Sequence, residues 1–210
     1  MTPIVADLSR HVWDAHGALD FGQAKAAGIV GVIYKVTEGA TFQDHTYAKS
    51  RDLARAAGLL WGAFHFGTAA PVAAQIDNFF NTAAPDADTL VALDFEHNDP
   101  APFNTMTGAA ALEFLQLADA RLGRPLTLYT GSHMVDAFGA NPVPALRGRR
   151  LWWAQYGPAA VPHPTWNQYW LWQYTDGAIG PTPHTMNGFG ACDLDQFDGT
   201  ADDLRNAWIE

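Results

Sequence analysis

The chain has a single cysteine among its 210 residues, Cys192, so no disulfide can form within it. A small, inert, buried thiol is its expected role. Charge is scarce too: 16% of residues are Asp, Glu, Lys or Arg, and 12 basic residues against 22 acidic ones give a net charge of −10. Nucleic acid, whose phosphates demand lysine and arginine patches, is therefore excluded as an expected partner. The one basic run, Arg147-Gly-Arg-Arg150, is short and precedes an apolar strand, so a solvated strand entrance is expected there rather than an anion site. No apolar stretch approaches the about 20 residues of a membrane span, and no membrane insertion is expected. The opening Met-Thr-Pro-Ile-Val-Ala-Asp7 lacks the charged start and apolar core of a secretory leader, which predicts synthesis in the cytoplasm without that address.

What the chain does have is apolar: 48% of it is hydrophobic, enough for a sizeable core. Eight β-prone runs recur at 3–6, 29–36, 59–66, 90–96, 126–130, 151–156, 169–174 and 191–197. Helical patterns lie between the early ones. One covers about 45–57 and stops at Gly58. A second starts near Pro71, a favoured first helical position, with Val72, Ile76, Phe79 and Phe80 on one side. Thr107 to Leu122 is the longest, with Leu112, Leu115 and Leu122 inward and an end at Gly123. Ala26-Ala-Gly-Ile29 and Ala56-Ala-Gly-Leu59 repeat at the spacing of one βαβ unit. Such alternation predicts an α/β fold with a parallel sheet. After Leu151 the intervals are short and filled with Pro and Gly, so the last three strands are expected to be joined by loops or antiparallel hairpins. No linker divides the sequence, and residues 1–210 read as one domain.

Leu90-Val-Ala-Leu-Asp-Phe-Glu96 carries the chemistry. On a strand, alternate side chains share a face, so Asp94 and Glu96 point the same way with Cα atoms about 6.6 Å apart. Burying a strand does not call for two acids on one face. Cleaving a glycosidic bond does, because one group protonates the leaving oxygen while another supports the oxocarbenium-like centre. In β/α barrels such groups gather at the C-terminal strand ends. Strand one ends at Asp7, and the last strand carries Asp193 in Cys192-Asp-Leu-Asp195. Like charges so close raise at least one pKa, which keeps an acid protonated near neutral pH. Trp152, Trp153, Tyr156, Trp166, Tyr169, Trp170, Trp172 and Tyr174 crowd the same half of the sequence, either as core or as sugar-stacking surface.

Nine motifs, in order, are similar to those of glycoside hydrolase family 25, the Chalaropsis-type lysozymes or N-acetylmuramidases. They are Asp7-Leu-Ser9, Tyr34-Lys-Val-Thr-Glu-Gly39, Ala57 to Phe66, Gln75 to Phe80, Leu93-Asp-Phe-Glu96, Leu128-Tyr-Thr-Gly131, Leu151-Trp-Trp-Ala-Gln-Tyr156, Leu171 to Gly177 and Asp193-Leu-Asp195. The resemblance implies an irregular TIM-like barrel, five β/α units followed by three strands with few helices. It implies hydrolysis of the β-1,4 bond from N-acetylmuramic acid to N-acetylglucosamine in peptidoglycan, by a monomer without metal or other cofactor. Glu96 matches the general acid/base, Asp94 its companion, and Asp7 and Asp193 the other acids of the ring. Lys35, Phe64, Tyr129, Trp152 and Gln173 match substrate-binding positions. Whether the sugar's own acetamido group or a carboxylate attacks carbon stays open.

There are departures. Phe64 stands where the family usually has tyrosine, Asp195 where it often has asparagine, and His11-Val-Trp-Asp-Ala-His16 replaces the usual Gln/Asn-Gly pattern. No wall-binding repeats are appended, so the resemblance leaves delivery to the wall to phage release, effector secretion or other export. Two rivals remain. One is a metal hydrolase using His11, Asp14 and His16, or Glu96, His97 and Asp99. The other is a catalytically silent glycan-binding barrel. His65, next to inward-facing Phe64, is expected to be a satisfied packing residue.

Overall fold

The computed structural model describes residues 2–98 and 104–209. In chain order the elements are β1 (Ile4–Leu8), α1 (Arg10–His16), α2 (Phe21–Ala26), β2 (Ile29–Glu38), β3 (Phe42–Gln43), α3 (Tyr47–Ala56), β4 (Leu60–Phe66), α4 (Val72–Ala83) and β5 (Leu90–Asp94). Then come α5 (Gly108–Leu122), β6 (Thr127–Thr130), α6 (His133–Phe138), β7 (Leu151–Ala154), β8 (Leu171–Thr175), β9 (Thr185–Met186), β10 (Gly190–Ala191), β11 (Asp193–Phe197) and α7 (Ala201–Asn206). Every one of the eight expected strands is present. Eight strands close into a barrel in the order β1-β11-β8-β7-β6-β5-β4-β2, with β2 pairing back to β1 and the short β3 attached outside β2.

Alternation along the strands sorts side chains into two cores. Val5, Ile33, Phe64, Leu90, Ala92, Tyr129, Trp152 and Leu171 fill the barrel. Ala6, Val32, Tyr34, Ala63, Val91, Leu93, Leu128, Leu151 and Trp153 face the surrounding helices. The helices stop where the sequence punctuates them: Gly28 (φ 109°) and Gly58 (φ 72°), the two echoed glycines, take left-handed backbone that side chains resist. Pro71 precedes α4 as its N-cap rather than opening it. On α5 the buried stripe is Ala111, Phe114, Leu115 and Ala118, spaced i, i+3, i+4, i+7; Leu112 and Leu122 are only partly covered. His65 is fully buried, accepting or donating hydrogen bonds with Thr37 Oγ1 (2.7 Å) and Gln75 Oε1 (3.1 Å), its ring stacked on Phe114. Cys192 is buried, and burial pushes its thiol pKa up.

β7 and β8 are joined by a loop, as expected, and they are parallel although residues 155–170 between them contain no helix. Side-chain hydrogen bonds replace helix packing: Trp172 Nε1 donates to the Gln155 carbonyl at 2.8 Å, and Trp166 Nε1 to the Arg149 carbonyl at 2.8 Å. Only β11 is antiparallel to both its neighbours, β8 and β1. One expectation needs correction: in the arginine run only Arg147 is a solvated entrance. Arg149 bonds Asp119 at 2.6 Å and the Leu126 carbonyl at 2.7 Å, while Arg150 bonds the Ala207 carbonyl and stacks on Trp170. Among the described residues no helix is long and apolar enough to cross a membrane.

The barrel end away from the carboxylates is stoppered by Trp208, which is 2% exposed. Its Nε1 donates to the Trp61 carbonyl at 2.9 Å, and its ring lies against Gly31, where a Cβ would sit 2.9 Å from a ring carbon. Removing a buried indole leaves a cavity that β strands cannot collapse into. Trp208→Ala is expected to lower unfolding stability by about 3–5 kcal/mol, read from the urea midpoint with an unchanged m-value.

Candidate active site

β5 ends at Asp94, and Glu96 lies two residues on, in the loop. The alternation nevertheless continues: Val91, Leu93 and Phe95 belong to the outer core, Leu90 and Ala92 to the inner one. Asp94 and Glu96 thus keep the inward parity that the sequence predicts. Asp7 is on β1 opposite Asp193, the first residue of β11. Because β11 runs antiparallel, its beginning reaches the rim where the parallel strands end. Asp7, Asp94, Glu96 and Asp193 come together around a hollow of 170 Å³ that Lys35 and Phe64 also line. A second hollow of 660 Å³ adjoins it through Glu96 and is lined by His97, His133, Trp153 and Tyr156.

Burial dominates the electrostatics. It pushes Glu96 up to about 7; the charge of Lys35 opposes this and that of Asp193 reinforces it. Burial, then the negative charge of Glu96, pushes Asp94 well above the usual range; its Oδ1 is buried without a hydrogen-bond partner. Asp7 is likewise raised by burial and by the charges of Asp193 and Asp195, and Asp193 is raised by burial to about 6. The Asp7–Asp193 hydrogen bond favours a neutral Asp7 and a charged Asp193, as when two carboxyls share one proton.

The residues expected at the substrate divide into two groups. Lys35 and Phe64 are on the hollow's wall, Lys35 paired with Glu38 at 2.8 Å and its ammonium 4.4 Å from the Phe66 ring centre. Gln173, Tyr129 and Trp152 are buried. Gln173 Nε2 donates to Asp7 Oδ2, and Gln173 Oε1 accepts from Tyr129 (2.9 Å) and Tyr156 (2.8 Å). Trp152, 1% exposed, donates from Nε1 to Asp195 Oδ1 at 2.6 Å. Gln173 and Trp152 hold acids in place from beneath, Tyr129 steadies Gln173, and none of the three lines the hollow.

Sequence reasoning missed Glu38, Asp195 and the hydroxyl of Tyr156. Glu38 is brought to the rim by an irregularity in β2 between Lys35 and Thr37, a bulge-like re-aiming of side chains. Burial alone would raise Glu38, but Lys35 and Asn98 more than offset it and hold the carboxyl below its usual range. Asp195, fully buried with Oδ2 unpartnered, is pushed well up by burial. The aromatic crowding also resolves: Trp153 and Tyr156 lie beside Glu96, Trp152, Trp172 and Tyr174 are buried, and Trp166, Tyr169 and Trp170 line a 1110 Å³ hollow at the opposite end that contains none of the four acids.

Of the metal sets weighed from sequence, Asp99 lies outside the described residues. His11, Asp14 and His16 do not converge. Among the described residues the group that does is His97, His133 and Asp136.

The profile of "Glycosyl hydrolases family 25" matches residues 7–181. The chain is 27% identical over 189 residues to the autolytic lysozyme of Clostridium acetobutylicum, covering 89% of this chain and 54% of that one. It is 27% identical over 201 residues to lysozyme M1 of Streptomyces globisporus, covering 88% and 65%. It thus spans less than two thirds of both curated relatives. The crystal structure of the bacterial lysozyme from Streptomyces coelicolor superposes with a TM-score of 0.83 at 25% identity, covering 100% of this chain and 98% of that one. The sequence profile and the shared barrel agree, and the chain belongs to glycosyl hydrolases family 25.

Proposed function

We propose that the protein is a peptidoglycan hydrolase of the muramidase type, cutting the β-1,4 bond between N-acetylmuramic acid and N-acetylglucosamine with Glu96 as general acid and then base. The observation that carries this reading is the position of Glu96, half-buried and bordering both hollows, where burial pushes its carboxyl up to about 7. Such a carboxyl holds its proton in the ground state and loses it readily once the leaving oxygen gains charge. Asp94, on the same inward face, orients the 2-acetamido group or steadies the positive charge that develops at the anomeric carbon. The Asp7–Asp193 pair, sharing a proton, supplies negative potential across the hollow. Lys35 and Phe64 form the substrate wall, Phe64 contributing ring surface without a hydroxyl. The relatives' lysozyme names support the substrate class, and a glycan strand is the partner this cleft suits.

Glu96→Gln is expected to reduce the release of new reducing ends from purified sacculi by about a hundredfold or more while sacculus binding persists. Absence of new reducing ends with the unaltered protein would overturn the hydrolase reading in favour of a silent glycan-binding barrel. Release of new amino groups instead would identify an amide-cleaving enzyme.

The acid role also fixes a pH limb. In the free protein burial pushes Glu96 up to about 7, so kcat/KM for glycan cleavage is expected to fall as pH rises beyond about 7.

Stability follows the same sign. Asp7, Asp94 and Asp195 bind protons more tightly folded than unfolded, so their contribution is complete below the ordinary carboxylate range and is lost as pH rises through the folded values. The melting temperature is expected to be higher at pH 5 than at pH 8. Asp195→Asn keeps an acceptor for Trp152 and removes one such proton site, and it should narrow that difference.

A further inference from the structure

We infer that His97, His133 and Asp136 form a binding site for a divalent transition metal of the zinc class, its two histidines lining the 660 Å³ hollow that Glu96 also lines. His97 comes from the loop after β5. His133 and Asp136 are spaced i, i+3 on α6 and so share one side of that helix. His97 Nε2 lies 2.9 Å from Asp136 Oδ2 and 3.3 Å from His133 Nδ1, and the three ligand atoms all fall within 4.8 Å of one another. Tetrahedral zinc with bonds of about 2.0–2.1 Å sets its ligands about 3.3 Å apart, so the atoms need only settle around an ion, not travel to it.

Hydrogen bonding alone serves this cluster poorly. His133 Nε2 faces the Met106 carbonyl at 3.5 Å, and a proton placed there leaves Nδ1 as a lone pair aimed at the cluster. Asp136 offers only lone pairs when ionised. A single ring nitrogen, His97 Nε2, faces both of these atoms and carries at most one proton to share between them. A cation at the centre satisfies all three atoms at once. The His133 ring is already held in its orientation, with the Phe95 ring centre 4.6 Å away and that of His97 4.2 Å away. The His97 and Asp136 side chains are 51% and 59% exposed, which gives an ion an entry path and leaves positions for water or ligand. Two imidazoles and one carboxylate suit Zn²⁺ and its first-row neighbours, whereas Mg²⁺ and Ca²⁺ favour all-oxygen sets.

The site stands apart from the muramidase reading, because metal binding is measured without substrate. The test is calorimetric titration of Zn²⁺ into the chain, prepared without a histidine tag, beside Asp136→Asn and His97→Gln. Both altered side chains are exposed, and circular dichroism melts check that the variants fold. A single saturable site is expected, weakened about tenfold or more in each variant, together with a rise in melting temperature on adding Zn²⁺ that the variants lose. Absence of saturable binding would overturn the inference. So would binding that both variants retain at full strength, since the ion would then lie among the rim carboxylates or on other histidines.

Discussion

Removing carboxyl groups from water is the constraint around which this barrel is organised. A small β barrel packs its interior with side chains, and here the upper layer of that packing is acidic. Asp7, Asp94 and Asp195 have almost no contact with solvent, and Asp193 and Glu96 are half-buried. Burial is the first cause of every one of their shifts, ahead of any neighbouring charge. The barrel tolerates this because protons stay on the acids and because donors reach them from below. Gln173 serves Asp7, Trp152 serves Asp195, and the charge of Lys35 most strongly opposes the rise at Glu96. The same desolvation that makes the rim chemically useful makes it costly to fold.

The reversal of β11 completes that rim. A strand running with the others would have delivered Asp193 and Asp195 toward the far end. Inserted between β8 and β1 in the opposite sense, β11 sets Asp193 across from Asp7 and leaves Asp195 one layer down against Trp152. Depth then separates their behaviour. Asp193 keeps some solvent and a hydrogen bond from a neutral neighbour, while Asp195 has an oxygen with no partner at all.

Much of this was legible in the amino-acid order. Strands buried on both faces are apolar runs, and all eight could be seen. The Asp94-Phe-Glu96 alternation survived the end of β5, since Phe95 still anchors in the outer core. Phe64 and His65 took opposite faces as expected. What could not be read depends on partners far apart in sequence. Gln173 and Asp7 are separated by 166 residues, and no local pattern shows that the amide serves the carboxylate. Trp152 reads as a sugar-stacking residue until the closed barrel reveals which side it faces. The parallel β7–β8 pair escaped because its connection is held by indole hydrogen bonds instead of a helix. Glu38 escaped because an irregular step in β2 changes which residues face inward.

The Trp208 stopper gives the molecule a sealed pole and an open one. The backbone leaves the barrel at the sealed pole, pinned there by Arg150 on the Ala207 carbonyl and by Arg124 on the Ile209 carbonyl at 3.1 Å. Ile209, the last described residue, therefore lies at the end away from the carboxylate rim. The arginines that anchor this backbone thus hold the sealed pole shut at the end opposite the acids, so the two poles are secured by separate sets of side chains.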